Sequence, residues 1–471
     1  MDEDFISEFS NADLKDLRRN QRLGKVVAAM ANAPALSISA ACGGWSETMA
    51  AYRLLNCEEV TPAALLVPHR QAVLERCAQH ACVVVSQDTT ELDYSHMKET
   101  KGLGPLNDES RRGLFMHSLY VVSEEGLPLG VLDTEMMIRD DETFRLAAKR
   151  KHLPIEEKES FRWLEGYRKT VELARSLPGC EVFSISDREG DIFEVFEAWQ
   201  LAAEEGPTAE WIIRANQDRA LTGMVEGDPS KLFAALAQAP ILGEIEFKIR
   251  AKKGSKKVKG STVQTSRTAR TVCQTIRAMK ITPRPPARKD RKLPEVSFWA
   301  VLAEETNPPA GEDPVRWLLL TSKEVTTLEE ACRILNLYLR RWDIEVFHRV
   351  LKTGCRVERI QLKTAEALTC ALVIYAVIAW RILYLTNIGR SCPDMLCSCV
   401  FEEEEWKAAC AVVRRDKNAG EPTLCEFIAI IGKLGGHLGR KSDGAPGPQS
   451  IWQGLARVRD FALVWQIRDE E

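Results

Sequence analysis

Apolar residues recur at helical spacing through the first part of the chain. Three stretches show this spacing: residues 14–32, TMAAYRLLN and ALLVPHRQAVLERCAQ. Residues three and four positions apart share one face of a helix, so each stretch predicts an amphipathic helix with one buried side. We therefore predict a small helical domain over residues 1–70, with a row of basic residues on its first long helix.

At residue 82 the pattern changes to short β-branched runs that alternate with helical spacing. The segments are, in order, CVVVSQD, RRGLFMHSLYVVSEEGLPLGVLDTEMM, IEEKESFRWLEGYRKTVELARSL, CEVFSISDREGD, DIFEVFEAWQLAAEE and EWIIRAN. The first predicts a buried strand that ends at Asp88, and the fourth predicts a strand that ends at Asp187. A Glu-Glu-Gly turn in the second predicts a hairpin. This order predicts an α/β sheet that carries one antiparallel strand.

The rhythm breaks between residues 217 and 313, where Thr/Val/Ile runs and a proline group predict a β-rich insertion with a basic loop. The main fold resumes at RWLLLTS, a predicted buried strand, and continues in one long helix that contains YLRRWDIEVFHRVLKTG. We place a sheet domain at residues 71–365, including the insertion, and a helical domain at residues 366–471.

Composition is that of a soluble globular protein of two to four domains, with 471 residues, 45% hydrophobic and 28% charged. The most apolar run, residues 367–380, is too short for a membrane span and predicts a buried helix. The acidic start, MDEDF, lacks the apolar segment of a secretory signal. We expect a cytoplasmic protein with no membrane partner.

Charge is distributed unevenly along the chain, although the net charge is only −4. Residues 248–292 contain sixteen Lys or Arg and one acid, Asp290. Such a run indicates a polyanionic partner, and a solvated loop would show the same composition. The fourteen cysteines form no framework pattern, so we expect reduced thiols. Cys392, Cys397 and Cys399 cluster without a CxxC pair or a nearby histidine, which disfavours a zinc site.

The segment YLRRWDIEVFHRVLKTG carries a narrow polar stripe. At about 100° per residue, four side chains fall within roughly 60° of one another. They are Tyr338, Arg341, Glu345 and Lys352, with His348 and Arg349 just outside the arc and apolar residues, including Leu339, on the opposite half. Taken alone, the stripe is compatible with a solvated helix face stabilised by pairs such as Arg341–Glu345.

Three carboxylates give the stripe a chemical interpretation. Asp88 and Asp187 end predicted strands, and ligands of open α/β sheets bind at that edge. Glu345 on a later helix would complete the set. Three carboxylates suit Mg²⁺, and two such ions can promote in-line displacement at a phosphodiester. Neighbouring cations, Arg341 and Lys352, would hold the phosphates, and the Tyr338 hydroxyl could donate to another phosphate oxygen.

Together these motifs resemble bacterial cut-and-paste transposases with an Asp-Asp-Glu site in a ribonuclease-H-like fold, specifically the insertion-sequence-four group that includes the transposon-five enzyme. The Tyr-(2)-Arg-(3)-Glu-(6)-Lys signature of that group is kept in the stripe. The aspartate motifs are similar to QDTTELDYS and SDREGDI. Similarity extends from RLGKVVAAM near the start to KLGGHLGRKSDG near the end, whereas residues 388–425 have diverged.

The resemblance implies a fold, partners and further site residues. The expected fold is a ribonuclease-H-like mixed sheet with a β-rich insertion, flanked by helical domains that bind DNA ends and dimerise. Expected partners are transposon-end DNA with inverted repeats, target DNA and a second copy of the chain. Two Mg²⁺ ions are expected, with Mn²⁺ able to substitute, in a bacterial, nucleoid-associated protein. The expected DNA contacts are Tyr338, Arg341, Lys352, Arg349, His348, Arg214, Trp317, Arg18, Arg19 and Arg22, with Trp317 as a stacking platform for a flipped base.

Two other functions compete with transposition. A structure-specific nuclease on the same fold would cleave DNA without joining it. A non-catalytic DNA-binding relative is disfavoured because all three acids and Lys352 are retained. No GxxxxGK[ST] motif is present, so we expect no nucleotide cofactor.

Overall fold

The chain is described from a computed structural model. It covers residues 2–144, 153–223, 229–252, 266–288, 291–416, 419–440 and 443–469. Most of the predicted basic loop, residues 253–265, and the pair 289–290 lie outside the described residues. The chain divides into two compact units. The first unit comprises residues 1–151 and 342–471, and the second comprises residues 152–341.

The regular elements of the described residues follow the predicted order. The strands are β1 (Cys82–Asp93), β2 (Gly104–Pro105), β3 (Arg112–Ser123), β4 (Pro128–Met137), β5 (Glu181–Ser186), β6 (Glu210–Arg214), β7 (Ile241–Ile249), β8 (Arg270–Ile281), β9 (Phe298–Glu305) and β10 (Arg316–Thr321). The helices are α1 (Asp2–Ser10), α2 (Leu17–Asn32), α3 (Ile38–Cys42), α4 (Trp45–Leu55), α5 (Pro62–Cys77), α6 (Asp141–Phe144), α7 (Phe161–Arg175), α8 (Phe193–Glu205), α9 (Leu232–Gln238), α10 (Leu328–Leu339), α11 (Arg341–Arg349), α12 (Ala365–Ser391), α13 (Glu403–Val412), α14 (Leu424–Leu434) and α15 (Pro448–Asp469).

The first unit contains the predicted hairpin, which is confirmed as β3 and β4. β3 also pairs with β1, antiparallel, with Asp88 opposite Ser118. The prediction that a strand ends at Asp88 is wrong, because residues beyond it keep pairing with β3 down to Asp93 opposite Gly113. Asp88 therefore lies in the middle of a strand. The apolar run at its start had marked only the fully buried half of that strand.

The second unit contains a mixed sheet. β5 and β6 are parallel, whereas β6, β10, β9, β8 and β7 follow one another in antiparallel pairs. The β-rich insertion is confirmed, and its strands extend the edge of this sheet because β9 pairs with β10. Asp187 follows β5 directly, as predicted. The long alternation of buried and half-buried residues in β8 is typical of an antiparallel strand with one face on the core.

The predicted single helix around the polar stripe is interrupted. α10 ends at Leu339, and Arg340 donates its backbone N–H to Leu337 O at 3.0 Å before α11 begins. α11 is followed by a π-helical turn at Val350–Gly354. The angular prediction assumed one continuous helix, and it is wrong for Leu339, which is 39% exposed and not part of an apolar back.

The C-terminal region is helical, as predicted. The apolar run lies in α12, which has 27 residues and is therefore long enough to cross a membrane by length and composition. The buried helix is confirmed, and it is longer than the apolar run because helical residues continue on both sides. However, 83% of its most apolar window is buried inside the protein, which is typical of a core helix. α12, α14 and α15 share a second apolar core in this region.

Candidate active site

Asp88 in the first unit lies beside the ring of His348. Asp88 Oδ1 accepts a hydrogen bond from the Thr89 backbone N–H at 2.8 Å, and His348 Nδ1 lies 4.0 Å from Asp88 Oδ2. The other ring nitrogen lies 3.2 Å from Ser118 Oγ, on the strand that faces Asp88. Burial, helped by the positive charge of Lys352, lowers the pKa of His348 to about 3. A neutral imidazole therefore flanks this carboxylate.

The end of the stripe presents one acid and two cations in the same unit. Glu345 and Arg349 are exposed on α11, and Lys352 is half-buried in the π-helical turn. Lys352 Nζ lies 3.9 Å from Glu358 Oε1, which also accepts a hydrogen bond from the Asp93 backbone N–H at 3.0 Å. The end of β1 and the turn after α11 therefore share one carboxylate, which helps to place Lys352.

Asp187 in the second unit caps the short helical turn Arg188–Gly190, where its Oδ1 accepts from the Glu189 backbone N–H at 2.8 Å. Close packing requires glycine at position 190, because a Cβ there would lie 2.1 Å from Ser186 Oγ. The loop that carries Asp187 is thus held by its own backbone.

A buried ion pair fixes the other end of that loop. Asp191 Oδ2 accepts hydrogen bonds from the backbone N–H groups of Asn216 and Gln217 at 2.8 and 2.9 Å. Arg219 Nη2 donates to Asp191 Oδ1 at 2.5 Å and to Asp191 O at 2.9 Å. The Asp191 side chain is 0% exposed. The loop after β5 is therefore tied to the loop after β6, the strand that ends with Arg214.

Three further candidates surround Arg214 in the second unit. Tyr338 is fully buried, and its ring meets the ring of half-buried Trp317 edge to face at 6.1 Å. Burial raises the pKa of Tyr338 to about 12, against the lowering effect of Arg341 and Arg214. Burial also lowers the pKa of Arg214, as does the charge of Arg188. These side chains therefore form a compact basic cluster whose electrostatic interactions include Asp187.

The basic residues of α2 differ in their surroundings. Arg19 donates to Leu14 O at 2.9 Å and lies 3.3 Å from Glu59 Oε1, and Arg22 pairs with Glu47. Arg18 is exposed at the start of the helix. Two of the three arginines therefore help to hold the N-terminal helices together.

The three predicted metal ligands are divided between the units, with Asp88 and Glu345 in the first and Asp187 in the second. Among the described residues, no group of three or more His, Cys, Asp or Glu side chains is arranged to hold a metal ion. The donor chemistry nevertheless fits a hard cation, because all three side chains supply carboxylate oxygen. All fourteen cysteines, including those at 392, 397 and 399, are free thiols.

Sequence reasoning missed the residues that position the site. The second aspartate of SDREGD was available as a signal, since it follows Asp187 by four residues. Its partner Arg219 lies outside any motif, so only the fold reveals the pair. A second ion-pair cluster, away from the candidate site residues, also lies outside any motif: His69 Nδ1 lies 2.5 Å from Glu8 Oε2, and half-buried Arg76 donates from Nη1 to Glu8 Oε1 at 2.6 Å.

Comparison with protein-family models gives three matches along the chain. Residues 2–60 match the transposase DNA-binding model, residues 209–381 the transposase DDE domain and residues 377–465 the transposase Tn5 dimerisation domain. The DDE match contains Glu345 with the whole stripe, together with Arg214 and Trp317, whereas Asp88 and Asp187 precede it. Along the chain the DNA-binding match comes first, the DDE domain second and the dimerisation domain last.

Proposed function

Because the chain belongs to the DDE transposases related to the Tn5 enzyme, we propose that it moves DNA by a cut-and-paste reaction at Asp88, Asp187 and Glu345. The chain is a DNA transposase, an enzyme that cleaves and joins DNA strands. The observation that supports this choice of residues is the intact Tyr338, Arg341, Glu345 and Lys352 spacing inside the matched DDE stretch.

The three carboxylates would hold the divalent metal ions that DDE transposase domains use. We propose two Mg²⁺ ions, with Mn²⁺ as a substitute, because all three donors are hard oxygens. Such ions, when bound, polarise phosphoryl oxygens and favour deprotonation of a nucleophilic hydroxyl. The structural frame that would support them is a strand for Asp88, a capped loop for Asp187 and a helix for Glu345.

The cations of the stripe would bind the phosphates next to the scissile bond. Arg349 and Lys352 are accessible in the first unit, and Arg341 is 8% exposed in the second. Charge-assisted contacts from these groups would offset the repulsion between carboxylates and DNA. Tyr338 and His348 are buried, so we propose that they position Trp317 and Asp88 respectively and do not bind DNA themselves.

Cleavage and joining would follow in four displacements at phosphorus. Water attacks one strand at the transposon end and leaves a 3′-hydroxyl. That hydroxyl attacks the opposite strand, which closes a hairpin and releases the flanking DNA. Water then reopens the hairpin, and the regenerated 3′-hydroxyl attacks target DNA. Each step breaks one P–O bond and forms another, so no covalent bond to the protein is needed.

Half-buried Trp317 would stack on the base that the hairpin displaces, next to Arg214.

Binding of transposon ends and dimer formation agree with the first and third family matches. We propose that Arg18 and its neighbours Arg19 and Arg22 lie in the surface that reads inverted repeats. We further propose that each subunit of the dimer binds one end and cuts the other. The expected setting is the bacterial cytoplasm, at the nucleoid, with target DNA as the second substrate and no nucleotide cofactor.

A strand-transfer assay tests this proposal. The purified chain is mixed with Mg²⁺, a labelled duplex from the border of the element that encodes it, and a supercoiled plasmid. We expect labelled end joined to plasmid, and loss of both cleavage and joining in Glu345→Gln with DNA binding kept. Cleavage without any joined product would instead identify the chain as a structure-specific nuclease.

A further inference from the structure

A broad groove lies in the first unit between α11 and α15. Its volume is about 1000 Å³. We call it the α11–α15 groove, and its lining residues come from three segments: residues 32–36 after α2, residues 346–356 in α11 and the π-helical turn, and residues 447–460 at the start of α15. Arg349, which lines it, lies one helical turn after Glu345, so the groove begins next to a proposed catalytic residue.

The charged lining of the groove is predominantly basic. Arg349, Arg356 and Arg457 line it and are exposed, and Asp460 is the acid among the lining residues. The amides of Gln449 and Gln453 add hydrogen-bond donors. A surface that combines guanidinium groups with amide donors fits the phosphate oxygens of a nucleic acid backbone.

Two of the arginines are held in place by the backbone. Arg356 adopts a left-handed conformation with φ 53° and ψ 37°, which is costly for a residue with a Cβ. The turn persists because Arg359 N donates to Arg356 O at 2.8 Å and Tyr94 Oη donates to Val357 O at 3.1 Å. Arg457 Nη1 donates to Leu434 O at 2.6 Å.

An aromatic ring packs against the π-helical turn, which lies between Arg349 and Arg356. Trp452 of α15 is half-buried and lines the groove. A Cβ on Gly354 would lie 3.1 Å from Trp452 Cε3, so the glycine allows the ring to rest on the backbone. The π-helical turn closes through a hydrogen bond from Cys355 N to Val350 O at 2.9 Å. One wall of the groove is therefore formed where α15 packs on the π-helical turn, and the three arginines line the same cavity.

We propose that the α11–α15 groove binds the sugar-phosphate backbone of DNA through Arg349, Arg356 and Arg457, as a site separate from the N-terminal DNA-binding region. The inference rests on the proposed function, since the bound DNA would pass beside Glu345. A second copy of this chain fits less well, because the groove's three guanidinium groups would lose water there with one lining acid, Asp460, to offset the cost. The DNA could be a transposon end or target DNA, because both offer the same phosphates.

The test compares Arg356→Gly with Arg414→Gly. Arg414 is also an exposed arginine with a positive φ, 56°, but it follows α13 and does not line the groove. Both substitutions relieve the same backbone strain, so both should shift the thermal midpoint by a similar small amount. DNA affinity is measured by fluorescence anisotropy without divalent metal, over a series of salt concentrations, in the full chain.

We expect Arg356→Gly to bind DNA more weakly. The negative slope of log affinity against log salt should become less steep by about 0.9, as for one lost phosphate contact. Arg349→Gln and Arg457→Gln should each reduce the steepness of the slope by a similar amount, and Arg414→Gly should leave the slope unchanged. One arm uses the border duplex of the element, and another uses an unrelated duplex added to chain already bound to border duplexes. A less steep salt dependence with the border duplex assigns the groove to the transposon end. A less steep salt dependence with the unrelated duplex assigns it to target DNA.

An unchanged slope in both arms overturns the proposal, as does a loss of self-association without a change in slope, which would make the groove a protein interface. Neither result affects the proposed function, which Glu345→Gln tests through cleavage. Conversely, a wild-type chain that fails to cleave but shows the predicted slopes would preserve the groove and contradict the active site.

Discussion

His348 illustrates how burial changes the role of a residue. A histidine next to a catalytic carboxylate and a lysine is commonly read as a cation for DNA. Here burial, with Lys352 nearby, keeps the ring neutral, with its pKa lowered to about 3. It lies next to Ser118 and Asp88, which supports the proposal that it positions the carboxylate. The identity of the residue was visible in the sequence, but its burial depends on β3 and α11 packing together.

This pKa leads to a prediction about acid stability. In the unfolded chain His348 is protonated near pH 6.5, whereas in the folded chain the ring is protonated only near pH 3, because its pKa is lowered to about 3. The free energy of unfolding should therefore fall as pH drops through this window, by up to about 1.4 kcal/mol per pH unit from this group. Urea titrations of wild type and His348→Gln at several pH values measure the difference. Identical pH dependence in the two proteins would contradict burial of a neutral ring.

Asp191 supports a second prediction at this scale. Asp191→Ala leaves Arg219 and two backbone N–H groups without their carboxylate in a buried loop, so we expect a loss of about 3–5 kcal/mol in unfolding free energy. Asp218→Ala is the matched control, since exposed Asp218 accepts one hydrogen bond, from the Phe233 backbone N–H. Denaturant unfolding of both variants provides the measurement. Equal losses of unfolding free energy in the two variants would contradict a stabilising role of the buried Asp191–Arg219 pair.

Among the elements, those with one strong periodicity could be predicted from the sequence. Those whose pattern changes partway along the element could not. The hairpin, the Asp187 loop and the C-terminal helices follow from local patterns. The length of β1 does not, because its second half is polar and exposed enough to resemble a loop. The break at Arg340 and the π-helical turn were also not predicted, because the helical-spacing argument assumes one uninterrupted helix axis. The predicted relative directions of the stripe residues therefore fail, as Leu339 shows, and the roles of these residues stay a prediction.

Gly354 tests the importance of the π-helical turn. Gly354→Ala would press a Cβ against the ring of Trp452, and we expect a cost of about 1–3 kcal/mol from overpacking. Because the turn carries Lys352, single-turnover cleavage should also slow. Gly447→Ala, where a Cβ meets nothing within 4 Å, should leave the free energy of unfolding unchanged. A Gly354→Ala protein with wild-type stability and rate would show that the turn tolerates a side chain there.

At the scale of the whole molecule, the surface of α15 bears on assembly. Leu463, Val464 and Ile467 are 60%, 68% and 64% exposed, and they lie on a helix that falls mostly within the matched dimerisation domain. Exposed apolar residues grouped on one helix face mark an interaction surface. The prediction of a homodimer thus has a specific candidate surface in the first unit.

Val464→Asp should weaken that dimer without destabilising the fold, because the side chain is exposed in the isolated chain. We expect sedimentation velocity to show a shift toward monomer on transposon-end DNA, with joined product lost in parallel. Leu438→Asp, at a residue that is 69% exposed elsewhere in the C-terminal region, serves as the control. A Val464→Asp protein that still dimerises would place the interface on another surface.

Binding of Mn²⁺ to the protein–DNA complex, followed by electron paramagnetic resonance, addresses the central claim most directly. We predict that Asp88→Asn, Asp187→Asn and Glu345→Gln each weaken binding at least about tenfold. Asp93→Asn, on the same strand as Asp88 but paired with Arg111, should leave it unchanged. If any one of the three substitutions retained wild-type Mn²⁺ affinity, the three carboxylates would not form one metal site.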